Sequence, residues 1–107
     1  MKLPKVIGDL VQAQNNLDSS TYAECFSETG VMIDEGKSYE GRAGIRKLIE
    51  EANKKYRSVM KPLAYTENDG TCVLSAQVSG TFPGSPIVLK FHFEIVDGKI
   101  KHLHVTG

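Results

Sequence analysis

The apolar residues of this chain change their spacing once. Up to Tyr56 they recur every three to four positions, and from Val59 onward they recur every second one. The first period belongs to helices and the second to half-buried strands, so the chain must place helices first and a sheet after them. Helices followed by a meander of strands imply an α+β domain in which a curved antiparallel sheet folds over its helices. A length of 107 residues suffices for one such core and not for two, so residues 1–107 are read as a single domain.

Behind Pro4, the residues Val6, Ile7, Leu10, Val11 and Gln14 line one side of a first helix that ends near Asn15-Asn16. Asp18-Ser19-Ser20 offers capping oxygens to a second, short helix with Tyr22, Cys25 and Phe26 on its inner side, closed by Ser27-Glu28-Thr29-Gly30. A strand "GVMIDEG" and a short "KSYEG" follow. The clearest helix runs from about Arg42 to Tyr56, with Ile45, Leu48, Ile49, Ala52 and Tyr56 as its apolar stripe and lysines and glutamates on its solvated face. Four strands are expected after it, over about 59–67, 71–79, 86–96 and 99–105. Asp69-Gly70 and Asp97-Gly98 are hairpin turns whose two central positions both need positive φ.

Alternation assigns the faces. In "PIVLKFHFEIV", Ile87, Leu89, Phe91, Phe93 and Ile95 look toward the helices, and Cys72, Leu74, Ala76 and Val78 do the same one strand earlier. The opposite face then carries Gln77, His92, His102 and His104. Two imidazoles in His-x-His spacing invite a metal reading, but no fixed carboxylate completes a ligand set, and no metal is expected. A polar, partly aromatic outer face is more simply a subunit interface, so a homodimer through Gln77, His92, His102 and His104 is expected.

In "GVMIDEG" the same alternation puts Asp34 on one face with Met32, and Val31 with Ile33 on the other. A carboxylate facing Met32, Phe91 and Phe93 loses water, which raises its pKa and suits it to accept a carbon-bound proton. The plainer alternative is a polar turn in which Asp34 accepts from backbone amides.

Acidic and basic residues balance at thirteen each and are scattered, with no basic stripe for nucleic acid. No segment approaches a membrane span, and the start lacks the uninterrupted apolar run of a signal peptide, so a cytoplasmic protein is expected. Cys25 and Cys72 lack a metal or redox spacing and are read as small apolar residues in reduced form. "GTFPGSP" has glycines but no helix start behind it to aim at a phosphate, and no cofactor is expected.

The order of these signals resembles the nuclear-transport-factor-2-like superfamily, particularly its SnoaL-like polyketide-cyclase and ketosteroid-isomerase relatives. The residues that carry the resemblance are "AQNNLDSSTYAECFSETGVMIDEGKSYEGRAGIRKLIEEANKKY" and "FHFEIVDGKIKHLHV". They contain an Asn-x-x-Asp helix break, a strand running into an acidic turn, a Gly-Arg-x-x-Ile helix start and a final Asp-Gly-Lys-Ile hairpin. The resemblance implies a cone-shaped, barrel-like sheet wrapped around the long helix and open at one end into an apolar pocket. It also implies a dimer through the convex sheet face. The pocket residues expected on that basis are Leu10, Tyr22, Phe26, Met32, Tyr39 and Ile49 from the first half, with Tyr56, Leu89, Phe91, Phe93 and Leu103 from the second.

By the same resemblance Asp34 falls where a ketosteroid isomerase keeps its catalytic aspartate. The isomerase's two oxyanion donors would fall at Leu10 and Phe91, which cannot donate, so steroid isomerisation by that route is not expected. Two functions from different classes stay open. One is a pocket for a small, mostly apolar molecule, with Asp34 as general base for isomerase-like, cyclase-like or lyase-like proton transfer. The other is a non-catalytic ligand-binding or dimerisation module. A ligand-sized cavity with Asp34 at its wall favours the first, and plugging by Phe26, Tyr56, Phe91 and Phe93 favours the second.

Overall fold

The computed structural model describes residues 1–107. Two helices come first, α1 (Lys5–Asn15) and α2 (Ser19–Glu24), followed by a hairpin of β1 (Phe26–Asp34) and β2 (Lys37–Glu40). The long helix α3 (Gly41–Tyr56) leads into the meander β3 (Val59–Asn68), β4 (Thr71–Ser79), β5 (Ile87–Val96) and β6 (Lys99–Thr106). All six strands form one curved, open sheet in the order β2-β1-β6-β5-β4-β3. It does not close into a barrel.

Two features of this sheet lie outside what alternation reveals. The pairing of β1 with β6 is parallel, while every other junction is antiparallel. Alternation records which face a side chain takes, not the direction of its neighbour. Secondly, Ser27–Gly30 does not close the second helix but already belongs to β1, whose pairing with β6 shifts register between Phe26 and Val31. That irregular stretch hides the period of two. A side chain at Gly30 would come within 3.0 Å of the Ile100 carbonyl oxygen and of Phe26 Cβ, so the glycine is what lets the strand pass there.

The turns behave as their residues dictate. Asp69-Gly70 (φ 47° and 84°) and Asp97-Gly98 (φ 51° and 76°) both take the left-handed conformation at their two central positions. Glu35-Gly36 does the same between β1 and β2 (φ 53° and 75°), so Asp34 is the last residue of its strand, paired with Lys37, rather than part of the turn.

Helices and sheet enclose a single core whose fully buried members include Ile7, Leu10, Phe26, Ile45, Phe93 and Leu103. The Asn-x-x-Asp break fixes how the helices meet it. Asn15 donates from Nδ2 to the Met60 carbonyl (3.0 Å) and accepts from the Met60 N–H (2.7 Å), imitating a neighbouring strand on the free edge of β3. Asp18 caps α2 by accepting from the Thr21 N–H at 3.1 Å. At the other end of the cavity described below, the loop after β4 is pinned to the end of α3: the Thr81 N–H donates to the Tyr56 carbonyl at 2.8 Å. The contact leaves no room for a side chain at Gly80, where a Cβ would sit 2.6 Å from that same oxygen.

The cysteines are both buried and unbonded. Burial pushes the Cys25 thiol up to about 11, which leaves almost none of the reactive thiolate at neutral pH.

Candidate functional site

The concave side of the sheet and α3 do not fill the space between them completely. They leave a cavity of about 570 Å³ that opens to solvent near the loop after β4. A volume of that size suits a small organic molecule. Each side of the wall follows from an element's period. Leu48, Ile49, Ala52 and Tyr56 come from the apolar stripe of α3, and Leu89 and Phe91 from the inward set of β5. Met32 and Asp34, two apart on β1, supply the third side together with Tyr22 from α2.

Of the residues expected in a pocket, Tyr22, Met32, Asp34, Ile49, Tyr56, Leu89 and Phe91 are on this wall. Five are not. Leu10, Phe26, Phe93 and Leu103 lie in the solid core beneath it, at or below 1% exposure, because they sit deeper where the helices meet the sheet. Tyr39 is on the short edge strand β2 opposite Met32, packed against the rim of the core and away from the cavity. Phe26 and Phe93 therefore do not plug the space, and Tyr56 and Phe91 border it.

Some wall residues carried no clear signal as site residues. Phe82 and Pro83 stand at the mouth from an irregular loop with no period to reveal them, and Phe82 meets Tyr56 edge-on at 6.0 Å between ring centroids. Gln14 and Asn53 bring polar groups into the apolar wall. Both were legible, since Gln14 continues the stripe of Leu10 and Val11, and Asn53 occupies an inward position between Ile49 and Tyr56.

Asp34 brings a half-buried carboxylate onto this wall. Desolvation, then the negative charge of neighbouring Glu35, raises its pKa above the ordinary 3.8, against one lowering contribution, a hydrogen bond from the Glu35 backbone. The sign for stability follows directly. The folded chain holds this proton more tightly than the unfolded one, so the burial cost is absent below 3.8 and appears as pH rises through the raised folded value. Tyr22 feels the same carboxylate: burial and the Asp34 charge push its phenol well above the ordinary range. It therefore stays protonated at neutral pH and able to donate.

The outer face of the sheet is set by register. Val73 pairs with His92, Gln77 with Val88, His92 with His104 and Glu94 with His102, which brings Gln77 and all three histidines to one side. Val31 and Ile33, opposite His102 and His104, join them there. The His92 and His104 rings lie 6.1 Å apart, and His92 Nε2 is 3.0 Å from Thr106 Oγ1.

A second hollow, about 510 Å³, lies beside α1 and the β5–β6 turn. Its rim is charged, but Lys5 and Asp9 already pair at 2.9 Å and Asp18 is engaged by Thr21, so it offers no free constellation.

Comparison with known proteins agrees with this architecture. The family model described as a SnoaL-like domain matches residues 7–103. A candidate polyketide cyclase from Sinorhizobium meliloti is 33% identical, with a TM-score of 0.92 over 97% of this chain and 95% of its own. A Catenulispora acidiphila protein with a ketosteroid isomerase-like fold, solved with trimethylamine, superposes with a TM-score of 0.89 at 12% identity, over 99% of this chain and 87% of its own. SalBIII, an epoxide hydrolase/cyclase-like enzyme with a role in pyran ring formation in the polyether salinomycin, gives 0.80 at 20% identity over 94% and 86%. No curated protein matches the sequence.

Proposed function

The chain belongs to the SnoaL-like domain family, and from that premise we propose that its cavity binds a small, mostly apolar molecule and that Asp34 acts there as a general base in proton transfer. The observation that carries the reading is the position of Asp34: a carboxylate with a raised pKa on a wall otherwise made largely of apolar side chains. Desolvation brings a carboxylate closer to the basicity that proton abstraction at neutral pH requires. The candidate polyketide cyclase, 33% identical over nearly the whole chain, favours cyclase-like chemistry. Tyr22, held protonated, is the hydroxyl donor to a developing negative charge.

The test is an NMR pH titration of the Asp34 side-chain carboxyl carbon, with Asp34→Asn to assign the signal. A midpoint clearly above 3.8 is expected. Asp34→Asn should also raise the thermal midpoint at pH 7 relative to wild type and give no such gain at pH 3, where the wild-type carboxyl is already neutral. A midpoint at or below the ordinary value would remove Asp34 as a base.

The second reading is a ligand-binding module without catalysis. It is favoured by the apolar residues at Leu10 and Phe91, where the resemblance placed a ketosteroid isomerase's donors. Under either reading we propose a homodimer through the outer sheet face, where Val31, Ile33, Gln77, His92, His102 and His104 share one side. Sedimentation equilibrium should give twice the 11.7 kDa chain mass. A single-chain mass at micromolar concentration would remove that proposal. No helix is long and apolar enough to cross a membrane.

A further inference from the structure

The cavity wall carries charge of one sign. Asp34 and Glu35 both stand on it, and no lysine, arginine or histidine does. Neither carboxylate forms an ion pair within the chain, and even Lys37, opposite Asp34 in the β1–β2 hairpin, stays outside ion-pair distance. A half-buried carboxylate beside a second one has lost part of its hydration, which a cation ordinarily offsets. The chain itself supplies none here. The groups around the two carboxylates suit positive charge as well. Tyr22, Phe82 and Phe91 border the same space, and an aromatic face attracts a cation through its quadrupole. The hydroxyl of Tyr22, a residue only 2% exposed, has no partner within the chain and is not one of its sealed side-chain atoms, so the cavity is what it faces. Its lone pairs are unused. Tyr56 is already engaged, with Lys55 Nζ 5.1 Å from its ring centre, and is left out of the set.

We propose that the cavity takes an organic cation, an apolar skeleton bearing a quaternary or tertiary ammonium whose charge lies against Asp34 and Glu35 and whose alkyl groups meet the aromatic faces. This rests on the reading of the cavity as a ligand site and names the class of ligand. A primary ammonium suits it less, because its three N–H groups would each need an acceptor on a wall that is mostly apolar. A quaternary ammonium asks for none. A cation in that position also keeps Asp34 ionised, the form in which it accepts a proton.

The test compares two probes of the same shape, benzyltrimethylammonium and neopentylbenzene, in which a quaternary carbon replaces the charged nitrogen. Wild-type protein at low salt is expected to bind the ammonium about tenfold more tightly, and added salt should narrow the gap. In wild type the NMR titration midpoint of the Asp34 carboxyl carbon should fall on saturation with the ammonium and stay in place with the hydrocarbon. Asp34→Asn combined with Glu35→Gln, which keeps the outline and removes both charges, should bring the two affinities together. Binding of the hydrocarbon to wild type as tightly as the ammonium would overturn the cation and leave the ligand site standing. A preference that persists in the double variant would place the attracting charge elsewhere and overturn it as well. Failure of both probes to bind at their solubility limits would overturn the ligand site and the cation together. If the double variant does not fold, the movement of the Asp34 midpoint in wild type decides the matter alone.

Discussion

Asp34→Asn should slow the exchange of α-hydrogens of 1-tetralone for deuterium by about 10²- to 10⁴-fold, the range that a positioned general base contributes. In the proposed reaction the Asp34 carboxylate takes the proton from C2, the electron pair of that C–H bond forms the C1=C2 double bond while the carbonyl π pair moves to oxygen, and the reverse flow delivers a deuteron from D2O to carbon. The amide of the variant has the same outline but no basic oxygen, so binding of the ketone should persist while exchange falls to the solvent rate. The wild-type rate should also climb with pH through the raised pKa of Asp34 and then level off, since only the carboxylate form accepts a proton. Exchange that stays at the wild-type rate in Asp34→Asn would move this chain to the non-catalytic reading. Mass spectrometry of the recovered ketone reads the outcome without coupling to any second reaction.

Phe93→Ala should cost about 3–5 kcal/mol, enough to unfold much of the population of a domain this small, while Phe91→Ala should cost distinctly less. The two residues lie two apart on β5 and face the same way, yet Phe93 is 1% exposed among the core helices and Phe91 borders empty space. Removing the Phe93 ring opens a void with no solvent access, and its neighbours lose their contacts on that side. The Phe91 ring already lacks partners on its cavity side, so its loss enlarges a hollow that exists. Urea denaturation of the two variants, read as midpoints at constant slope, separates them. Equal losses would mean that the cavity collapses in solution.

That pair also marks how far the sequence could be read. The faces of β4, β5 and β6 followed from alternation, and the stripe of α3 from its three-four spacing, because these periods are geometric properties of the backbone. Depth does not leave such a trace. Phe91 and Phe93, or Leu10 and Gln14, carry the same face in the sequence, and only the curvature of the sheet decides which of them ends in solid core and which at a hollow. The same limit explains Tyr39, whose strand is too short and too near the edge to reach the cavity. Asp34 was legible because Met32 two residues earlier tied its direction to the core. Asn53 was legible in principle, as an amide in an apolar stripe, but the hydrogen bonds that Gln14 donates to it and to the Ser58 carbonyl span 39 and 44 positions of the chain.

The parallel junction of β1 with β6 sets when the wall can exist at all. Met32 is held beside Leu103, so the strand that carries Asp34 finds its central neighbour only when the last strand of the meander inserts between β1 and β5. Closing so long a loop is entropically slow, and until it closes Asp34 and Phe91 belong to separate pieces of sheet. A molecule that bridges them has nothing to hold on a half-assembled chain. Its entire binding free energy therefore falls on the folding equilibrium, and saturation at a hundred times the dissociation constant would add about 2.7 kcal/mol to the stability of the chain.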